Sequence, residues 1–392
     1  PSSDRSDSLN RQILETASQM AQMGGGRLDV VHGWHLPGES RLTFGRTRIS
    51  QDKLDRMRAM AEKVHRQKAV DLMERMKTAI PSADLHVVRA MENSRGRVND
   101  EFDVAARAAG ACDAALLFLG EESILSGEAH SRADISLPGD QAELVRRVRA
   151  AGKPVVAVIL AGRPLTLSNI VDEVDAILFA WHPGTMGGPA IADLVFGVES
   201  PSGKLPATFP RVVGQIPIYY SQKNGGKPPH RDNVVHIDDI DTFAPQTSLG
   251  MSAFHLDTCF TPLFPFGHGL SYAHFVYEGI RVSDAEVPMG STVTVSAELS
   301  NHGEVEAEEV VQLYTRDLVG SITRPVKELK GFRRVRLQPG ETRTVSFELH
   351  TDDLSFCGRD GQRIVEPGLF HAWIGGTSDA ELRTEFRIVD AS

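Results

Sequence analysis

The chain has 392 residues, long enough for two or three domains with cores of their own. Hydrophobic residues make up 41% and charged residues 24%, an ordinary soluble composition that excludes wholesale disorder. A net charge of −10 without a concentrated Lys/Arg face argues against nucleic acid as a partner. The longest apolar run, PVVAVILAG, is too short to span a bilayer, so no membrane partner is expected. No charged n-region followed by an apolar h-region opens the chain, so no signal peptide is visible and the compartment stays open. Cys112, Cys259 and Cys357 lie far apart without CxxC spacing, which makes neither a disulfide framework nor a zinc site.

From the start to about residue 90, the pattern is helix, strand, helix, strand. Leu9, Ile13, Ala17 and Met20/Ala21 recur at helical spacing, and GGG at 24–26 stops that helix. LDVVHGWH (28–35) predicts a short strand. After Ser50 a long helix carries Leu54, Met57, Ala61, Val64, Leu72 and Met76 on one stripe until Pro81, and LHVV (85–88) predicts another strand. The stretch SSDRSDSLNRQILETASQMAQMGGGRLDVVHGWH, with the charged helix behind it, resembles the universal stress protein family. That resemblance implies a nucleotide-binding-type α/β unit over 1–90. The family's glycine-rich phosphate loop and its opening strand with an Asp have no counterpart here, and a truncated α/β piece is the plainer reading.

Residues 91–272 alternate strands and helices again. FDVAARAAG predicts a helix, and AALLFLG (114–120), PVVAVILAG (154–162) and AILFAW (176–181) read as fully buried strands of a parallel sheet. LPGDQAELVRRVRAAG (137–152) has Pro near a helix start, Leu144 and Val148 on one face, and Gly152 at the end. GGPAIADLVFG predicts the helix after the third strand. SPSGKLPATFPRVVGQIPIYY and the polar stretch 221–258 are too rich in Pro, Gly and polar residues to be regular and predict an extended arm. Over 273–392 the period changes to two: Val293, Val295, Ala297 and Leu299 alternate, as do Val345, Phe347 and Leu349. With VVQLYTRD, LFHAWIGG and TEFRIV separated by turns such as QPGE (338–341), this predicts an antiparallel β-sandwich. The expected fold class is thus an α/β parallel-sheet sandwich followed by an all-β fibronectin type III/immunoglobulin-like sandwich, with domains at 1–90, 91–272 and 273–392.

Several stretches could carry chemistry. HPGTMGGPA (182–190) puts glycines between a strand and a helix but lacks both the P-loop ending and the GxGxxG order. Close backbone packing, or a wall of a sugar pocket, fits it better than a phosphate site. HIDDIDT (236–242) clusters carboxylates without EF-hand spacing and reads as a solvated linker, so no metal is expected. There is no HExxH, no GxSxG and no plausible Ser/His/Asp order. Glu121, Glu122 and Glu128 follow the strand 114–120, at the edge where open parallel sheets hold ligands. Glu128 lies in a small-residue loop with His130, Ser131 and Arg132 nearby. On residue types alone, that loop is either a solvated connector or the carrier of a general acid.

The stretches SGEAHSRADISLPGDQ, GKPVVAVILAGRPLTL, AWHPGTMGGPAIADLVFG, SPSGKLPATFPRVVGQIPIYY, PLFPFGHGLSY and SITRPVKELKGFRRVRLQPGETRTVSFEL occur in order between about 92 and 390. Together they resemble the C-terminal half of glycoside hydrolase family 3, the β-glucosidase and β-xylosidase group. The resemblance implies retaining hydrolysis of terminal, non-reducing β-D-glycosidic bonds by two carboxyl groups roughly 5 Å apart. In that family the nucleophile is an Asp on a preceding (β/α)8 barrel, and the acid/base is a Glu on a loop of the α/β sandwich domain. SGEAHSR aligns Glu128 with the acid/base, leaving Glu121 and Glu122 as alternates. The resemblance further implies that Arg132 orients the loop by ion pairing and that His130 faces the substrate. No barrel and no SDW-like nucleophile motif occur in these residues; SDA at 283–285 and 378–380 falls in the β-sandwich region. The nucleophile is therefore expected outside this chain, which alone should show little or no activity. No cofactor is expected. The expected partners are a β-linked glucoside or oligosaccharide and either a separate barrel chain or a homo-oligomer, in a periplasmic or secreted setting. Two rivals stay open: an inert carbohydrate-binding or structural module, and a nucleotide-binding stress-response fusion.

Overall fold

The computed structural model describes residues 27–31, 78 and 84–391. The helices expected over residues 9–21 and after Ser50 lie outside these residues. The chain divides into two compact units between Glu199 and Ser200. Among the described residues, no helix is long and apolar enough to cross a membrane.

The first unit is built on a five-stranded, wholly parallel sheet. Its strands are β1 (Arg27–Val31), β2 (Asp84–Val88), β3 (Ala114–Gly120), β4 (Val155–Leu160) and β5 (Ala176–Phe179), in the order β2-β1-β3-β4-β5. β1 and β2, which precede residue 90, thus join the same sheet as the strands that follow it. All seven residues of β3 are buried, as a central parallel strand covered on both faces requires. β5 is only half-buried, contrary to its expected full burial, because it lies at the sheet edge with a single strand neighbour.

The helices are α1 (Asp100–Gly110), α2 (Gln141–Arg149) and α3 (Gly187–Val195). The Asn99 side chain accepts the Glu101 N–H at 2.8 Å and caps α1, whose first turn carries Asp100, Glu101 and Asp103 at the positive end of the helix dipole. Ile191 and Ala192 of α3 pack on Leu116 and Phe118 of β3 and Val158 of β4. Period-two alternation turns Ala115, Leu117 and Leu119, also buried, to the opposite face. α1 and α2 lie side by side and bury Phe102, Ala105, Ala109, Leu144, Val145 and Val148. Each large apolar side chain so buried contributes about 1.5–3 kcal/mol.

The second unit contains the irregular arm from Ser200 to Tyr272 and a β-sandwich. The arm holds single turns of 3-10 helix at 213–215, 231–233 and 237–239, and Phe209 and Phe264 bridge it by backbone pairing. The sandwich strands are β6 (Phe275–Val282), β7 (Glu286–Pro288), β8 (Thr292–Asn301), β9 (Ala307–Asp317), β10 (Glu328–Leu337), β11 (Thr342–His350), β12 (Phe356–Cys357), β13 (Arg363–Ile364), β14 (Gly368–Gly375) and β15 (Arg383–Val389). One sheet runs β10-β9-β14-β15-β7, a second runs β11-β8-β6, and β12 pairs with β13. Pairing is antiparallel except between β15 and β7. The alternating positions Val293, Val295, Ala297 and Leu299 enter the core together with Val345, Phe347 and Leu349, as their period predicts.

Candidate active site

In the strand order 2-1-3-4-5 the direction of winding reverses between β1 and β3, and open parallel sheets hold ligands at the carboxyl edge beside such a reversal. β3 ends there at Gly120, whose φ is +132°. A Cβ at this position would stand 2.0 Å from the Leu160 carbonyl oxygen, so only glycine lets β3 and β4 stay this close. The buried Gln141 side chain brackets the same residue. Its Oε1 accepts the Gly120 N–H at 2.7 Å, while its Nε2 donates to the carbonyls of Gly120 (2.8 Å), Ser94 (2.8 Å) and Pro138 (3.0 Å).

The chain then buries the side chains of both Glu121 and Glu122, with partners of different exposure. The Glu121 side chain is 0% exposed and lies between two guanidinium groups: Arg132 Nη1 donates to one oxygen and Arg163 Nε to the other at 3.0 Å. Glu122, 3% exposed at its side chain, accepts from Arg95 Nε at 2.8 Å, Arg95 Nη2 at 3.3 Å and Ser94 Oγ at 2.8 Å. That pairing holds the Arg95 guanidinium above its ordinary range, chiefly through the hydrogen bond to Glu122. Both carboxylates are thus held in ion pairs, Glu121 by two arginines and Glu122 by one. Buried charges persist only when paired and hydrogen-bonded in this way.

Glu128 is placed differently. A 3-10 turn at Ser123–Leu125 leads to Gly127 at φ +126° and Ala129 at φ +62°, which flank it. For Ala129 the left-handed conformation costs about 1 kcal/mol or more, and such outliers gather at functional loops. Glu128 is exposed and makes no ion pair among the described residues. Arg163 Nη2 donates to the Leu125 carbonyl and, at 3.1 Å, to the His130 carbonyl, on either side of Glu128. Arg132 continues the brace, donating to the Ser136 carbonyl at 3.0 Å. Asp134 accepts the Ser136 N–H at 2.9 Å, which holds its carboxyl below the usual range.

Around this loop, Ser126 Oγ and His130 Nδ1 are buried and have no hydrogen-bond partner among the described residues. A Cβ on Gly162 would meet His182 Nε2 at 2.5 Å and Ser126 Oγ at 2.7 Å, so both side chains converge on that glycine's bare backbone. His182 opens HPGTMGGPA, the stretch read as close packing or a pocket wall. Sequence reasoning missed Arg163, Arg95 and Gln141. Register offers a signal for the first: Gly120 pairs with Leu160, so Glu121 and Arg163 leave the same sheet edge within three residues of their strand ends. Among the described residues no group of three or more His, Cys, Asp or Glu side chains could hold a metal.

Comparison with known proteins gives this arrangement its family. The profile of the glycosyl hydrolase family 3 C-terminal domain matches residues 13–272, and that of the fibronectin type III-like domain matches 309–378. The periplasmic beta-glucosidase of Salmonella typhimurium is 39% identical over 287 residues, covering 73% of this chain and 36% of that protein. A beta-xylosidase of Formosa agariphila is 39% identical over 284 residues, covering 71% and 36%. The chain therefore spans about a third of the length of the curated relatives it matches. A crystal structure of a beta-glucosidase from Listeria innocua, a mutant in complex with laminaribiose, superposes with a TM-score of 0.74 at 29% identity, over 94% of this chain and 46% of that one. The resemblance of residues 1–90 to universal stress proteins finds no support, since residues 13–90 lie inside the family match. Helix–strand alternation is common to both folds, and pattern alone could not separate them. With more than half of its length matched and the parallel sheet, the β3 loop and the β-sandwich in place, the chain belongs to the family of the glycosyl hydrolase family 3 C-terminal domain, with a fibronectin type III-like domain behind it.

Proposed function

We propose that this chain supplies the acid/base half of a retaining β-glycosidase site, with Glu128 as the acid/base. The observation that carries the reading is the contrast among three neighbouring carboxylates: the buried Glu121 and Glu122 side chains are held in ion pairs, whereas Glu128 is exposed on a left-handed loop beyond β3. In the first step, protonated Glu128 would donate to the glycosidic oxygen while a second carboxylate attacks C1, and the aglycone leaves as an alcohol. In the second, the Glu128 carboxylate takes a proton from water as that water attacks C1. The sugar leaves with its configuration retained and Glu128 regains its proton. Both steps balance with two carboxyl groups and water, so no cofactor is called for.

Ser126 and His130 stand on the Glu128 loop and His182 meets Ser126 around Gly162, so side chains of the kind that bond pyranose hydroxyls gather at this loop. The substrate class is a terminal β-glucoside or β-xyloside, as the names of the relatives suggest. The nucleophile would come from a (β/α)8 barrel, as a further segment or a separate chain. The test is turnover of an aryl β-glucoside and an aryl β-xyloside by the chain, alone and with an added (β/α)8 barrel domain. Turnover that Glu128→Gln reduces about 100-fold or more supports the assignment. Turnover that survives Glu128→Gln overturns it, and saturable sugar binding without any turnover favours the inert module.

A further inference from the structure

Resting on the acid/base reading of Glu128, we infer that Arg163 is a positioning residue: it fixes the reach of the Glu128 carboxyl by gripping both ends of its loop with one guanidinium group. The loop's own backbone bonds are all local turns. Leu125 N–H reaches the Glu122 carbonyl (2.9 Å), Ser126 N–H the Ser123 carbonyl (3.2 Å) and His130 N–H the Gly127 carbonyl (3.2 Å), and none of these spans from Leu125 to His130. Arg163 does span it. Its Nη2 donates to both the Leu125 and His130 carbonyls, so the two ends of the Ser126–Ala129 segment meet at one nitrogen.

The gripping atom is itself held. Arg163 Nε donates to Glu121 Oε2 at 3.0 Å, and the other Glu121 oxygen is taken by Arg132. Arg163 is 17% exposed and Glu121 0% exposed at their side chains, so little water competes for these bonds. Glu121 is in turn rooted in β3, next to Gly120 and its Gln141 bracket. A rigid line therefore runs from sheet to Glu121 to Arg163 to the loop. A planar guanidinium fixes the directions of its donors toward the carboxylate and the two carbonyls, whereas a lysine ammonium offers its three donors from one point on a flexible stem and fixes none of them. Misplacement of a catalytic group by about 1 Å costs on the order of 100-fold in rate.

Arg163→Gln and Arg163→Lys are compared with Glu128→Gln in the chain supplemented with the added barrel domain. General acid assistance matters for a poor leaving group and hardly at all for one that departs unaided. On a β-linked disaccharide, Arg163→Gln is expected to lower kcat/KM, which reports the first step alone, about 100-fold, and on 2,4-dinitrophenyl β-glucoside less than about 3-fold. Arg163→Lys should recover little of the loss. A merely structural role would lower both substrates equally, and that result, or no loss on either, overturns the inference. Amide hydrogen exchange on the unsupplemented chain gives the second readout. Peptides covering 123–131 should exchange at least about tenfold faster in Arg163→Gln, with 114–120 and 155–160 unchanged; unchanged exchange at 123–131 also overturns it. If Glu128→Gln leaves turnover intact, the acid/base reading falls and this one with it. If Glu128→Gln abolishes turnover and Arg163→Gln does not, only the role of Arg163 falls.

Discussion

Both units of this protein bury glutamate, and Glu121 of the α/β unit and Glu309 of the sandwich unit are used in opposite ways. In the α/β unit Glu121 stands at the end of β3 with two guanidinium groups, which reach past it to the loop that presents Glu128. In the sandwich unit Glu309 stands within β9 and meets one ammonium and one phenol, Lys204 at 3.0 Å and Tyr277 at 2.9 Å. Burial pushes the Glu309 carboxyl up, while Lys204 and the Tyr277 hydroxyl pull it back down. Lys204 also donates to the Gly269 carbonyl at 2.7 Å, so this cluster ties the two ends of the irregular arm to the sheet. At a strand end the buried charge braces an exposed loop. Inside a strand it only fastens chain to chain.

This contrast is sharpened by removing each partner in turn. Glu121→Ala should cost about 5 kcal/mol, the upper end for a broken buried pair, because two guanidinium groups lose their common partner. Chemical denaturation followed by a probe in the α/β unit measures it, and a cost below about 1 kcal/mol would mean that water already reaches both arginines. Lys204→Met should cost about 3–4 kcal/mol, less than Glu121→Ala because Tyr277 still donates to Glu309. The double variant Lys204→Met/Glu309→Leu should regain only part of that loss, because the Tyr277 hydroxyl and the Gly269 carbonyl lose their partners in it, and no apolar repair is expected to rescue the loop at Glu121.

A third probe is pH. Burial, with the Lys204 charge adding to it, pushes the His268 imidazole down from 6.5 to about 4. Between these values the unfolded chain binds the extra proton. The contribution of His268 is therefore complete above pH 6.5 and is lost as pH falls toward 4, about 3 kcal/mol in all. Urea midpoints of the sandwich unit across this window should fall in the parent chain and flatten in His268→Gln. The smallest effect belongs to the arm's outward side chains: Phe243, 92% exposed, should tolerate Ser within about 0.5 kcal/mol in the same urea series.

Much of the fold was legible because local patterns report burial. The run 114–120 is wholly apolar and becomes the central strand β3, and alternation at 293–299 and 345–349 marks inward faces of the sandwich. The half-burial of β5 was not legible, since an apolar run does not reveal how many neighbours its strand will have. Of the candidate site, the motif SGEAHSR singled out Glu128 and its neighbours, and the ion pair expected of Arg132 has Glu121 as its partner. What separates Glu128 from Glu121 and Glu122 could not be read there, because all three are glutamates within eight positions of one another.

The sequence by itself determined the element types, the change of period near residue 273, and the loop on which a carboxyl group is carried. Only the tertiary structure decided which carboxylates are closed and which is open. The partners that close them, Arg163 and Arg95, stand 42 and 27 residues away. The reason is physical: strand and helix patterns arise from neighbours a few residues apart, whereas an ion pair depends on which strands the sheet sets side by side. Here β3 and β4 adjoin with Gly120 opposite Leu160, and that register brings Arg163 to Glu121.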